Sequence, residues 1–364
     1  MKKFWIGIAA VVLVGLGVWH FASKPVEVAD GKPVVKIGIS LPLSGPVAAL
    51  GESVKYAAKM AIDETEARDT KYQYEFIIED NLFDSKAVLA AANKLVFLDK
   101  VKAVLSLGAM PDNLTAEVTE KNGVIHFGCG WGKSALRGKY SFNHAPTTEE
   151  LARAAIEGMN QHDVKTYWVI SSYSQADMDV IAALKEASSV AGIKQAGELN
   201  AINSVDYRVD LLKIKEAKPD LIMLVANPTV IERMLKQISE LGITLPVASI
   251  GGLSEITHPE LAEGKWFVWY MNASEDWVKK YQTLTDMPLA NCSVQTYDSI
   301  RLLVDAFEKA ETMDNDAVVE VLRGVRNYPG TISVIDIDDD GQIKIKALPA
   351  VMKNGKPESL GLEI

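Results

Sequence analysis

The chain predicts an α/β protein whose parallel, doubly wound sheets form two lobes, and three observations predict it. Short β-branched runs alternate with amphipathic helical stretches along most of its length. The first such unit, VVKIGISLPLSGPVAALGESVKYAAKMAIDETEA at 34–67, joins a strand to a helix through a short Ser/Gly/Pro loop. The length is 364 residues, which at about 150 residues per domain suggests two domains.

Taken in order, residues 34–41 have the β-branched content of a buried strand, and Pro42, Gly45 and Pro46 end it. From Leu50 onward, Leu50, Val54, Ala57, Ala58, Ala61 and Ile62 recur at helical spacing, while Glu52, Lys55, Lys59 and Asp63 take the other side. Loops at the carboxyl ends of strands in open α/β sheets are where ligands bind, so 42–51 is the first candidate site segment. A strand at 74–78, a helix capped by Asp84 and running to Leu98, a strand at 101–107, a helix at 114–122 and a strand at 124–127 continue the rhythm. Residues 128–138 form a glycine-containing loop.

Thr147 and Glu150 make a capping-box pattern that starts a helix over 148–161, with Glu150 reaching back to the cap. Strands are expected at 166–170, 195–199, 220–226, 246–250 and 266–270, and helices at 178–191, 207–216 and 229–241. Asn227 followed by Pro228 is a cap with proline at the first helical position. Helices follow at 276–285 and 293–311, the second with Val294, Tyr297, Ile300, Leu303, Val304 and Phe307 along one face.

The formal charge of −10 leaves no basic footprint for nucleic acid. Lys2 and Lys3 precede an uncharged apolar run at 4–22, which reads as an export signal or a membrane anchor and places the rest of the chain outside the cytoplasm. Small residues are favoured at the third and first positions before a cleavage site. The pair His20/Ala22 meets this poorly, and Gly15/Gly17 meets it but strands an apolar start. Cleavage and retention both stand, and residues 23–33 read as a tether. No cysteine precedes Cys129, which excludes a lipid-modified N-terminal cysteine. An oxidising compartment permits a disulfide between Cys129 and Cys292; two buried thiols are the alternative.

The segment IGISLPLSGPVAALGESVKYAAKMAIDE resembles the opening of the branched-chain amino-acid-type periplasmic solute-binding proteins, the two-lobed receptors of ATP-driven (ABC) importers. Ser44-Gly45-Pro46, Ala48 and Gly51 fall in that family's order and spacing. EDNLFDSKAVLAAANKLV at 79–96 resembles its second strand, acidic turn and second helix. The resemblance covers residues 34–350 in element order. It implies a type 1 periplasmic binding fold with a three-strand hinge and crossings near 147, 272 and 345. Lobe 1 is then 34–146 and 273–345, and lobe 2 is 147–272 and 346–364. It further implies a non-enzymatic receptor without cofactor, in the periplasm or on the extracytoplasmic face. Its partners would be a small-molecule ligand and an inner-membrane ABC permease, and the chain a monomer or weak dimer. Both cysteines would lie in one lobe near the ligand. A membrane-tethered sensing domain of the same fold is the alternative role.

Amino-acid-binding members hold the carboxylate with first-lobe hydroxyls and the ammonium with a second-lobe acid. Here the resemblance puts the hydroxyl positions at Ala109 and Gly132 and the acidic position at Gly251. A desolvated ammonium without an anionic partner costs several kcal/mol, so a free amino acid is disfavoured. The amides of Ala109 and Met110 remain as donors to a carboxylate, Leu50, Trp131, Tyr173 and Tyr297 as apolar or stacking surface, and Asn227 as a polar contact. The expected ligand is a small, mostly apolar compound, an organic acid or an aromatic.

Three motifs carry less than they suggest. Gly132-Lys133-Ser134 ends like a P-loop, but Phe127 stands where the first glycine belongs. The acidic run from Asp336 to Gly341 imitates a calcium loop, yet Ala347 replaces the bidentate glutamate, and a hairpin turn is expected instead. The five histidines are scattered without ligand spacing, which gives zinc no support.

Overall fold

The computed structural model describes residues 31–360 apart from positions 46, 134, 173, 202, 203, 271 and 272. The export or anchor segment at 1–22, most of the tether at 23–33, Pro46 and the candidate ligand residue Tyr173 lie outside the described residues.

The first sheet is built from Val34–Leu41 (β1), Gln73–Asp80 (β2), Ala103–Ser106 (β3), Ile125–Gly128 (β4) and Ser141–Asn143 (β5). Its order is β2-β1-β3-β4-β5, every pair parallel. Helices Ala48–Glu66 (α1), Ser85–Asn93 (α2, continued by a π turn to Leu98) and Ala109–Lys121 (α3) connect the strands. Both faces are covered, as a parallel sheet requires. Val35, Ile37, Ile39 and Leu41 face one core, while Val104 joins Leu95, Val96, Val101 and Val124 on the other side.

The second sheet follows helix Thr148–Gln161 (α4). Strands Thr166–Ser171 (β6), Lys194–Asn200 (β7), Leu221–Val225 (β8), Val247–Ile250 (β9) and Trp266–Trp269 (β10) alternate with helices Gln175–Val190 (α5), Arg208–Ala217 (α6) and Pro228–Glu240 (α7). The chain then returns to the first core with Glu275–Gln282 (α8), Ser293–Ala310 (α9) and Asn315–Arg323 (α10), followed by the small hairpin Tyr328–Pro329 (β11) and Val334–Ile335 (β12). It crosses again to end as Leu348–Lys353 (β13) and Lys356–Ser359 (β14), which extend the second sheet antiparallel beside β10.

Three local expectations need correction. Helix α3 begins five residues before the predicted start, because Pro111 sits in a first turn whose amides need no intrahelical acceptor. Thr147 does cap α4, accepting from the Glu150 amide at 3.2 Å, but Glu150 does not reach back. Its carboxylate accepts instead from the Ala347 amide at 2.8 Å and pairs with Arg153, tying α4 to the final crossing. The acidic segment is a hairpin turn, with Asp338 accepting from the Asp340 and Gln342 amides, but its second flank meets the first only at the bridge Ile337–Ile343, and Gln342 is bridged instead to Asn143. Gln342 is drawn off to bond the carbonyls of Asn143 and Ala145, so that two crossing segments run side by side.

Candidate functional site

Sequence reasoning placed site residues in the loops after β1, β3, β4, β6, β8 and β9 and on α9. After β1, Asp80 at the end of β2 fixes the loop by accepting from the Leu43 amide (2.9 Å) and the Ser44 hydroxyl (2.5 Å). Ser44 is thereby used internally. A Cβ at Gly51 would lie 2.1 Å from the Pro42 carbonyl oxygen, so glycine is what lets α1 start against the end of its own strand. Leu50 packs part-buried on the first core.

The loop after β4 is the most heavily tied segment of the first lobe. Asp112, fully buried in the first turn of α3, accepts from the amides of Cys129 (2.9 Å) and Gly130 (2.6 Å) and from the Ser106 hydroxyl (2.5 Å). Ser106 in turn meets Nε2 of His126 at 2.8 Å. Burial raises the Asp112 carboxyl to about 7, against the lowering pull of its three donors, and lowers His126 to about 3, so the imidazole is neutral. Two amides of the P-loop-like stretch are thus spent on an acid. Asn143 donates to the carbonyls of Gly130 (3.2 Å) and Gly132 (3.1 Å), and Cys129 is disulfide-bonded to Cys292, the residue capping α9. A Cβ at Gly130 would lie 2.5 Å from the Ala109 amide nitrogen, so this loop lies directly against the start of α3, where Ala109 and Met110 sit.

From this fastened loop Trp131 reaches across to the second lobe. Its Nε1 donates to the Tyr270 hydroxyl at 3.0 Å, and its six-membered ring lies on Gly251, where a Cβ would come within 2.4 Å. Gly132 also faces the second lobe, its nearest side-chain neighbours being Thr148 and Asp179. The Tyr270 hydroxyl in turn donates to Oδ1 of Asn291 at 2.8 Å, in the segment leading to α9. The two lobes are therefore bridged at this point by an indole ring.

Glu255 is the residue that sequence reasoning missed. Position 251 carries no acid, but four residues on, in the turn Leu253–Glu255, the Glu255 carboxylate faces the backbone amide of Asn291 across the lobe junction. The residue as a whole is half-buried, yet its Oε1 is sealed from solvent and has no hydrogen-bond partner among the described residues. Burial raises its carboxyl to about 7, and it in turn helps burial to raise Tyr270. No local sequence pattern distinguishes Glu255 from a surface acid; only the fold brings it to the junction.

Two predicted positions have other partners. Tyr297 is 6% exposed and donates to Glu64 at 2.7 Å, with its ring edge-on to Trp277, so it packs α9 on α1. Asn227 is exposed and its Oδ1 accepts from the Val230 amide at 3.0 Å as the cap of α7, leaving only its NH₂ group for other use. Surface grooves of about 480 Å³ beside Lys133 and Arg323 and about 340 Å³ beside His162 and Trp266 lie elsewhere and include none of Trp131, Gly251, Glu255 or Tyr270. Among the described residues no cluster of three or more potential metal ligands occurs, and no helix is long and apolar enough to cross a membrane.

Two doubly wound lobes joined by three crossings, with loops from both meeting at one junction, define a two-lobed solute-binding protein of type 1 periplasmic binding architecture. The chain belongs to the periplasmic binding protein family, whose model matches residues 34–356. It is 22% identical over 325 residues, 80% of each chain, to a Leu/Ile/Val-binding protein homolog of Brucella abortus. Among solved structures it is similar to a leucine-binding protein of Thermotoga maritima (TM-score 0.81, 20% identity, covering 90% of this chain and 98% of that one). It is also similar to a solute-binding protein of an ABC transporter from Rhodopseudomonas palustris in complex with 3,4-dihydroxybenzoic acid (TM-score 0.79, 19% identity, covering 90% and 96%). The chain is accordingly a binder of small molecules and not an enzyme.

Proposed function

We propose that the chain is the extracytoplasmic receptor of an ABC importer. It closes lobe 1 (34–146 and 273–345) and lobe 2 (147–272 and 346–364) over a small, mostly apolar organic solute and presents that form to an inner-membrane permease. Contacts made by the solute to both lobes favour the closed population. The observation that carries this reading is the convergence of Trp131 and Gly132 from one lobe with Gly251, Glu255 and Tyr270 from the other at a single junction. In this reading Leu50, Ala109 and Met110 supply the first-lobe border of the solute site.

A free amino acid fits poorly. Neither Ala109 nor Gly132 offers a hydroxyl for an α-carboxylate. Glu255 supplies one polar anchor and the ring surfaces the rest. Calorimetry on the full chain with leucine, isoleucine, valine, aromatic acids, amides and short-chain acids tests this. Binding is expected among the non-zwitterionic compounds, and tight binding of leucine, isoleucine or valine overturns the solute assignment.

A second reading, a membrane-tethered sensor of the same fold, is favoured by the poor cleavage pattern at His20/Ala22. Mass spectrometry of the mature N-terminus in membrane and soluble fractions separates the two: a free chain lacking the apolar run supports the receptor, and an intact run confined to membranes supports the sensor.

A further inference from the structure

We propose that Gly251 and Tyr270 form a subsite for a planar aromatic ring with a hydrogen-bond donor on its edge, and that Trp131 is its built-in occupant. The inference rests on the reading above, and names the part of the solute that the second lobe recognises.

The floor of the subsite is bare backbone. Gly251 has φ +68°, a conformation L side chains rarely adopt, and any Cβ there would collide with the ring at 2.4 to 2.5 Å. A flat ring and a missing side chain are complementary. The rim is equally specific. Tyr270 is 2% exposed, and its hydroxyl hydrogen is committed to Asn291, so what it presents to the subsite is a lone pair. A group satisfying that lone pair must donate, as the indole N–H does; a ring without a donor leaves a buried acceptor unpaired.

The position of Trp131 is constructed. Its loop is held by the Cys129–Cys292 disulfide, by Asp112 through two amides, and by Asn143 through the carbonyls on either side of Trp131. These restraints fix the backbone while leaving the side-chain torsions to choose between docked and undocked. A solute ring cannot share the space with the indole, so it exchanges with it, and Trp131 sets a threshold that weakly matched solutes fail to pass.

The test is complementation of a cavity in the full chain. Trp131→Ala opens an indole-shaped space, and calorimetry with indole is expected to show binding at least tenfold tighter than to the wild type. Indene, which has the same ring outline without the N–H, is expected to bind at least tenfold more weakly than indole. A variant that binds indole no better than the wild type, or indene as well as indole, overturns the proposal. Should Trp131→Ala fail to fold, Gly251→Ala answers the same question, because its Cβ expels the ring. Small-angle scattering should then show a larger radius of gyration than the wild type, and an unchanged radius overturns the proposal. Neither arm uses an importer or a natural solute. Their failure leaves the solute screen intact, and an empty solute screen leaves the subsite intact.

Discussion

The loop after β4 and the turn after β9 face each other across the junction and are built on opposite plans. Residues 129–132 are held by a disulfide, a buried carboxyl and a side-chain amide, and present the large ring of Trp131. Residues 251–255 carry two glycines at positive φ, are closed by short local bonds such as Ser249 to the Gly251 carbonyl, and end in an acid whose Oε1 has no partner among the described residues. One side is a rigid knob, the other an open socket with spare polar capacity. The comparison teaches that rigidity and recognition are separated. The first lobe invests hydrogen bonds in placing a side chain, and the second keeps one carboxylate oxygen, Oε1 of Glu255, without a partner among the described residues.

The largest expected effect comes from loosening the knob. The disulfide closes a loop with a sequence separation of 163 residues. Cys292→Ala should therefore cost about 4 kcal/mol in denaturant unfolding, and a loss under 1 kcal/mol would show that the loop is held without it. Next is Asp112→Ala, which strands two buried amides and the Ser106 hydroxyl. A loss of about 3 kcal/mol is expected from unsatisfied buried donors, with the Trp131 contact weakened in parallel.

The socket should respond to pH in the sense set by Glu255. Its carboxyl is raised from 4.5 to about 7 in the fold. A raised group stabilises the folded state fully below the unfolded pKa and loses that contribution as pH rises through the folded one. Stability should therefore decline between pH 4.5 and 7. Glu255→Gln should remove that part of the decline, being about 3 kcal/mol more favourable relative to wild type at pH 8 than at pH 4. Parallel pH profiles of the two proteins would show that the acid is solvated and the socket closed to it.

Much of the scaffold was legible in the sequence, because periodicity and caps are local. Strand β1 occupies 34–41 as read, and the caps at Asp84, Thr147 and Asn227 follow from side-chain chemistry within four residues. The final hairpin carried a signal that went unread: Asn354-Gly355, both at positive φ, is the strongest short-range hairpin turn. The site was less legible, since its groups come from four separated segments. Gly251 is where an alignment places the acid, whereas Glu255 reaches the junction through a turn whose course no pattern announces. Tyr297 lies on the apolar face of α9, as its spacing predicts, and that same burial takes it to Glu64. Trp131 was singled out by its place after a strand, but its destination on Gly251 depends on how the lobes meet.

The central claim is that the lobes meet through the indole of Trp131 and the hydroxyl of Tyr270. A double-mutant cycle with Trp131→Phe and Tyr270→Phe, read as unfolding free energies of the full chain, tests it most directly. A coupling of about 1 kcal/mol between the two substitutions is predicted. Strict additivity, within about 0.3 kcal/mol, would contradict it.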